Sequence, residues 1–83
     1  MKKINNLVNV KISGLYDIGK EFSLNIYASN DDNFKELEEN VPKKIKYVII
    51  EKQVNGFQFR SYNLTTILRL QKSLGFNFKL EHV

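Results

Sequence analysis

The fold is decided by residues 44–62, which read KIKYVIIEKQVNGFQFRSY. Two runs rich in β-branched and aromatic residues flank Asn55-Gly56, and this dipeptide between such runs is the strongest short signal for a β-hairpin. A type I′ turn at this dipeptide predicts, counting outward, that Glu51 faces Arg60 across the hairpin. Opposite charges at facing positions would support that register by roughly 0.2–1 kcal/mol.

Two segments that precede this hairpin alternate apolar and polar residues, at 7–15 and 22–28. Alternation with a period of two predicts strands that each bury one face. The link between them, residues 14–20, carries two glycines and an aspartate. This composition predicts a hairpin loop longer than the two-residue minimum.

Two short helices are predicted between the strands. Residues 29–33 supply capping side chains for the first helix, which Pro42 ends because the residue before a proline disfavours helical geometry. Asn63 caps the second helix at 64–74, and Gly75 stands where a left-handed C-cap belongs. Both helices are short, so we expect them to depend on packing against the sheet.

Alternation returns at residues 76–81, which predicts a final strand. We therefore expect one domain over residues 1–83, of class α+β, in which an antiparallel sheet packs two short helices on one face. The expected order is β-β-α-β-β-α-β. The expected core includes Val8, Val10, Ile12, Leu24, Ile26, Phe34, Leu37, Ile67, Leu68 and Leu74.

The chain is poor in the side chains that carry chemistry. It has no cysteine and one histidine, His82, so a disulfide framework and a thiolate metal site are excluded. The serine and threonine hydroxyls lack a nearby histidine base, although a carboxylate dyad from distant segments, such as Asp17 with Glu51, stays open. We therefore expect a protein that is not an enzyme and that needs no metal and no cofactor.

The sequence also bears on location. No apolar run approaches the roughly 18 residues that a helix needs to cross a bilayer. The basic start at residues 1–7 is not followed by the apolar region of a signal peptide. We therefore expect a complete cytoplasmic chain without membrane contact, in the host cytoplasm if a phage encodes it.

The formal net charge of +4, from 13 Lys plus Arg against 9 Asp plus Glu, directs attention to the basic residues. If those of separate elements converge, they would form a surface for phosphates or for an acidic protein. Four aromatic residues, Tyr47, Phe57, Phe59 and Tyr62, either stack nucleic-acid bases or belong to the core. The candidate residues for binding a partner or nucleic acid are Lys43, Lys44, Lys46, Arg60, Arg69 and Lys72.

Residues 64–80, LTTILRLQKSLGFNFKL, resemble the closing segment of lambda-repressor-like helix-turn-helix proteins and related antitoxins. The likeness is carried by Thr66, Leu68, Leu70, Leu74 and Gly75. In that family this helix is packing scaffold, so the resemblance carries over no functional residue. The recognition helix would fall near residues 45–51, where this chain is rich in β-formers.

The overall profile is also similar to that of small anti-defence proteins of phages and mobile elements, anti-CRISPR proteins in particular. The likeness lies in size and in the lack of catalytic motifs. It implies a stoichiometric inhibitor that docks on a larger nucleic-acid-processing effector or on its bound RNA. The alternative is a nucleic-acid-binding regulator or antitoxin of degenerate helix-turn-helix type, dimeric through residues 76–83 if these lie at a sheet edge.

Overall fold

The computed structural model describes residues 13–83. The elements are β1 (Gly14–Asp17), β2 (Phe22–Tyr27), α1 (Asp31–Asn40), β3 (Ile49–Lys52), β4 (Gly56–Ser61), α2 (Leu64–Leu74) and β5 (Leu80–His82). This order confirms the predicted α+β class and the sequence β-β-α-β-β-α-β. The predicted core positions Val8, Val10 and Ile12, with most of the first predicted strand, lie outside the described residues.

The five strands form one sheet in the order β3-β4-β2-β1-β5. Neighbours are antiparallel, as predicted, except for β1 and β5, which are parallel. From β2 onward the chain makes two crossovers, β2-α1-β3 over β4 and β4-α2-β5 over β2 and β1. Because β2 and β4 run in opposite directions and cross toward opposite edges, the usual right-handed connection puts both helices on the same face.

The core lies between that face of the sheet and the two helices. It contains two of the predicted positions on β2, Leu24 and Ile26, with Leu37, Ile67 and Leu74. Leu68 is wrong as a core prediction, because the buried stripe of α2 runs along Ile67, Leu70, Gln71 and Leu74 and leaves Leu68 to one side. Further buried residues are Leu15, Ala28, Val41, Leu70 and Phe76, together with Phe57 and Phe59, for which a core position was one of the two interpretations.

The register predicted for the hairpin at residues 44–62, which β3 and β4 form, is wrong. Glu51 pairs with Gln58 rather than with Arg60, and the Gln53 N–H donates to the Gly56 carbonyl at 2.8 Å across the turn. Gly56 belongs to β4, where a Cβ atom would stand 2.0 Å from the Ile26 carbonyl oxygen. The lack of a side chain at Gly56 therefore allows β4 to approach β2 closely. The turn between β3 and β4 falls one residue earlier than predicted.

Three predicted boundaries also change. Residues 14–17, predicted as loop, form β1, and the connection to β2 is closed by the Ile18 N–H, which donates to the Glu21 carbonyl at 3.0 Å. The strand predicted over residues 44–54 is confined to β3. The last strand begins at Leu80, because the Gln71 side chain bonds the backbone N–H and carbonyl of Phe78 and holds the preceding segment on α2.

The helix ends are as predicted. The Asn30 side chain accepts a hydrogen bond from the Asn33 N–H at 2.9 Å, and the Asn63 side chain accepts one from the Thr65 N–H at 3.0 Å. Gly75 ends α2 with a φ of 89°. Neither helix within residues 13–83 is long and apolar enough to cross a membrane.

Candidate functional site

A tight turn at residues 45–48 precedes β3. The Val48 N–H donates to the Ile45 carbonyl at 3.1 Å, and Tyr47 occupies the third position of the turn with a φ of 66°. Turns with a positive φ at that position ordinarily carry glycine or asparagine. Tyr47 is the only non-glycine residue with a positive φ in residues 13–83. For an L-residue this conformation costs roughly 1–2 kcal/mol.

The side chain of Tyr47 does not recover that cost by packing in the core. It is 75% exposed. A cation contacts its ring, since the Lys46 ammonium lies 5.0 Å from the ring centroid. A strained backbone that holds an aromatic side chain in solvent points to a role outside folding.

Tyr47 lines a groove at the end of the sheet where β3 begins and β4 ends. The groove encloses about 540 Å³, which lies within the range of small binding sites. We call this surface the Tyr47 groove; it is lined by Glu21, Tyr47, Val48, Ile49, Arg60, Ser61, Tyr62 and Asn63. Tyr62 is 76% exposed and Ile49 is 48% exposed, so three large side chains with apolar surface converge on one opening.

Arg60 forms a charged part of the groove wall. Its Nη1 lies 2.9 Å from the Glu21 carboxylate, and its Nη2 bonds the Glu51 carboxylate. The hydrogen bond to Glu21, with attraction to Glu51, raises the pKa of Arg60, so the guanidinium stays charged. Glu51 and Arg60 do not face each other as predicted, but their side chains still form an ion pair along the diagonal, because the observed register keeps both on one face of the sheet.

The three lysines predicted as binding residues before β3 lie beside the Tyr47 groove. We call Lys43, Lys44 and Lys46 the lysine rim. All three are exposed and line a depression of about 410 Å³ together with Ile45, Val48 and Ile50. Within residues 13–83 none of the three forms an ion pair. Among the described residues, the rim is therefore a patch of positive charge without an ion-pair partner next to an apolar opening, and Glu38 and Glu39 line a neighbouring depression together with Lys43.

The remaining predicted residues do not join this patch. Arg69 and Lys72 lie on α2, which covers the helix-bearing face, whereas Arg60 projects from the other face. Lys72 lines its own depression with Leu68 and Phe76. Arg60 is committed to two carboxylates. The six candidate residues thus fall into separate groups, of which the lysine rim is the compact one.

The four predicted aromatic residues also divide. Phe57 and Phe59 are buried in the core, whereas Tyr47 and Tyr62 are exposed in the groove. The sheet therefore does not present all four rings as a stacking platform.

The acidic candidates are each engaged elsewhere. Asp17 lies 3.0 Å from His82, and Glu51 bonds Arg60, so the dyad of Asp17 with Glu51 is not formed. Asp17 and Glu51 project from opposite faces of the sheet, because Asp17 shares the face of Leu15 and Glu51 that of Arg60. Within the described part of the chain, no three His, Cys, Asp or Glu side chains are grouped to hold a metal ion.

Sequence reasoning missed the features that build the groove. A left-handed tyrosine has no sequence signal, since the turn lacks the glycine or asparagine that would mark it. Ile49 belongs to a run of β-branched residues that does not alternate, so the sequence does not assign it to a face; the structure places it on the face that neither helix covers. Glu21 follows a loop and reaches Arg60 from 39 residues away. Such a long-range contact cannot be read from local spacing.

Comparison with protein-family models, with curated proteins and with solved structures returns no match for this chain.

Proposed function

We propose that this chain is a non-catalytic docking protein, which inhibits a larger nucleic-acid-processing effector by binding an acidic surface of that effector. The Tyr47 groove and the lysine rim form its docking surface. The observation that carries this proposal is the exposed ring of Tyr47 on a left-handed backbone. The choice of an effector as partner follows the similarity to small anti-defence proteins in size and in the lack of catalytic motifs.

The groove offers the side chains that anchor protein interfaces. Tyrosine and arginine are enriched among residues whose truncation weakens binding most, and these cluster in pockets that become fully desolvated. Tyr47 and Tyr62 are mostly exposed, and Ile49, the first residue of β3, lines the groove with them. Covering apolar surface of this kind contributes about 25 cal/mol per Å². A partner that fills the groove would bury all three side chains.

The lysine rim supplies direction rather than most of the affinity. Exposed charges at the edge of an interface steer the encounter and repel partners of like sign. Because the three lysines have no carboxylate partner within residues 13–83, an acidic partner would meet them without first breaking an ion pair. The positive rim and the apolar groove together favour an acidic surface with protruding apolar side chains.

A second candidate function is direct binding of single-stranded RNA. The specific observation in its favour is the exposure of Tyr47 and Tyr62 beside the lysine rim, since aromatic rings and a basic track are the usual elements of single-strand binders. The helix-turn-helix alternative has less support, because residues 45–51 form a turn and part of β3 where the recognition helix would lie.

Affinity capture with a groove variant tests the docking proposal. The tagged chain is used to capture partners from its source cells before and after nuclease treatment, in three forms: wild type, the double variant Tyr47→Gly with Tyr62→Ser, and Val54→Ser. Val54 is the matched control, because it is a highly exposed apolar residue outside the groove. We expect one large protein to be retained after nuclease, lost from the groove variant and kept by the control.

Two results would contradict the proposal. One is equal capture by the groove variant and the wild type. The other is loss of all capture after nuclease, together with direct binding of a labelled single-stranded RNA whose affinity falls steeply with salt. The second result would establish the RNA-binding candidate instead.

A further inference from the structure

Hydrogen-bonded and non-hydrogen-bonded residue pairs alternate between β3 and β4, and this alternation determines which backbone groups of β3 point away from β4. The Gln53 N–H donates to the Gly56 carbonyl, so this pair is of the hydrogen-bonded kind. Such pairs alternate along an antiparallel ladder, and Glu51 and Ile49 therefore bond β4 as well. It follows that the N–H and C=O groups of Ile50 and Lys52 point away from β4.

Two independent contacts agree with this assignment. On the other side of β4, the Ala28 N–H donates to the Asn55 carbonyl at 2.7 Å, which assigns the odd-numbered residues of β4 to β2 and leaves the even-numbered ones for β3. Beyond the start of β3, the Val48 N–H points outward and is taken by the Ile45 carbonyl. The open part of this edge thus runs from Ile50 to Lys52.

β3 is an outer strand of the five-stranded sheet formed by residues 13–83. Depressions on the helix-bearing side border its edge: one lies beside the lysine rim, and a second of about 570 Å³ is lined by two carboxylates, Glu38 and Glu39, as well as by Val41, Pro42 and Lys52. Ile50 lines both. The Tyr47 groove lies on the other side of the same strand. A segment laid along the edge would direct alternate side chains to these two sides.

The charged side chains next to the edge of β3 determine which kind of segment can pair with it. Lys52 and the lysine rim flank the edge. Lys52 pairs with Glu38 at 2.6 Å, whereas no ion pair among residues 13–83 includes a rim lysine. In the antiparallel pairing that two copies of β3 would form, the lysine rim of each copy would face the uncharged residues 53–56 of the other and would gain no opposite charge. An acidic segment would instead find complementary charge at the lysine rim, with Glu38 and Glu39 lining the depression at the other end of the edge.

We propose that the partner contributes an extended acidic segment, which pairs with the edge of β3 through Ile50 and Lys52 and places alternate apolar side chains in the Tyr47 groove. This inference rests on the proposed docking function and specifies how the partner is recognised. Main-chain hydrogen bonds would supply affinity, and the groove would supply specificity, as in other cases of strand addition.

A pair of variants at position 52 isolates the backbone contribution. Lys52→Pro removes the outward N–H without touching a bond to β4, whereas Lys52→Ala removes the same side chain and keeps the N–H. The probe is an acidic peptide selected from a display library of random linear peptides on the wild-type chain. We expect Lys52→Pro to bind it at least about fivefold more weakly than Lys52→Ala, since a backbone hydrogen bond contributes about 1 kcal/mol.

Amide hydrogen exchange detects new backbone hydrogen bonds, which a partner that contacts only side chains would not form. In the wild-type chain with the selected peptide, exchange at the amides of Ile50 and Lys52 should slow. The amides of Ile49 and Glu51 already bond β4 and should change little. Circular dichroism of both position-52 variants checks that the fold is kept, and if Lys52→Pro does not fold, the exchange measurement on the wild type decides alone.

The outcomes separate this inference from the proposed function. Equal affinity of the two position-52 variants, or unchanged exchange at Ile50 and Lys52, would overturn strand addition; loss of binding in the groove variant would then still uphold docking. Selection of basic peptides would overturn the acidic segment. A wild-type dimer in sedimentation that Lys52→Pro dissociates would overturn it too, because a second copy would then occupy the edge.

Discussion

At the scale of single residues, the backbone conformation at position 47 favours glycine, although the residue is a tyrosine. A φ of 66° suits glycine, yet the residue is a tyrosine whose ring is mostly in solvent. Folding would be served as well or better by glycine at this position. The ring must therefore be explained by something that the isolated chain does not do, and docking is the explanation that we propose.

The strain at position 47 can be measured with two substitutions. Both Tyr47→Gly and Tyr47→Ala remove the ring, but alanine keeps the unfavourable left-handed conformation whereas glycine does not. In urea unfolding we expect Tyr47→Gly to be more stable than Tyr47→Ala by about 1 kcal/mol. If the alanine variant equals or exceeds the glycine variant in stability, the turn is not strained as described.

Gly56 is needed for packing of β4 against β2, whereas the sequence predicted that it is needed for the turn. A Cβ atom there would clash with the Ile26 carbonyl oxygen, and the backbone of a paired strand cannot move aside cheaply. We expect Gly56→Ala to lower the free energy of unfolding by roughly 3 kcal/mol, among the larger effects of single substitutions. Val54→Ala, in the same turn but highly exposed, should change it by less than about 0.5 kcal/mol. Similar losses in both variants would refute the role of Gly56.

The two carboxylates that hold Arg60 differ in burial. The Glu21 side chain is 13% exposed and that of Glu51 is 47% exposed, so water screens the second interaction more effectively. We expect Glu21→Gln to destabilise the fold more than Glu51→Gln does. Thermal unfolding at low and at high salt tests this ranking. The reverse order would mean that Arg60 is held mainly by its partner on β3.

At the scale of elements, the helices follow local rules and the strands do not. Asn30, Asn63 and Gly75 each act where the sequence placed them, because a cap satisfies backbone groups only a few residues away. Strand ends depend on neighbours that are distant in sequence. The predicted final strand, for example, begins late because Gln71 of α2 binds the backbone of Phe78. No spacing within residues 76–81 reports that contact.

The cap of α2 offers a direct test at this scale. Asn63→Ala removes the acceptor for the Thr65 N–H and should cost about 1 kcal/mol of stability. Asn63→Asp keeps an acceptor and adds a charge that suits the helix N-terminus, so it should match or exceed the wild type. Chemical unfolding of both variants checks the difference. An alanine variant as stable as the wild type would show that the cap does not matter.

At the scale of the whole molecule, the sequence predicted the class and the order of the elements but not the site. Alternation and capping gave the number and kind of elements, which confirms how much of an α+β fold is local. The Tyr47 groove needs Glu21, Ile49 and Tyr62 to meet from three separate parts of the chain. That meeting follows from the strand order β3-β4-β2, which no local pattern encodes.

The separation of charge and apolar surface predicts how binding responds to salt. Replacing the lysine rim by glutamine, as Lys43→Gln, Lys44→Gln and Lys46→Gln together, should lower the association rate constant about tenfold or more at low salt and leave the dissociation rate nearly unchanged. Surface plasmon resonance with the captured partner measures both. A variant that changes only the dissociation rate would place the lysines within the buried part of the interface.

The proposed docking function requires that the Tyr47 ring serve a partner and not the fold. One paired measurement tests it: the affinity of the wild type and of Tyr47→Gly for the captured partner, with the free energy of unfolding of both proteins. We expect the affinity to fall at least about tenfold, equivalent to 1.4 kcal/mol, while stability is unchanged or rises. Unchanged affinity, or a loss of stability as large as that of a core variant, would contradict the claim.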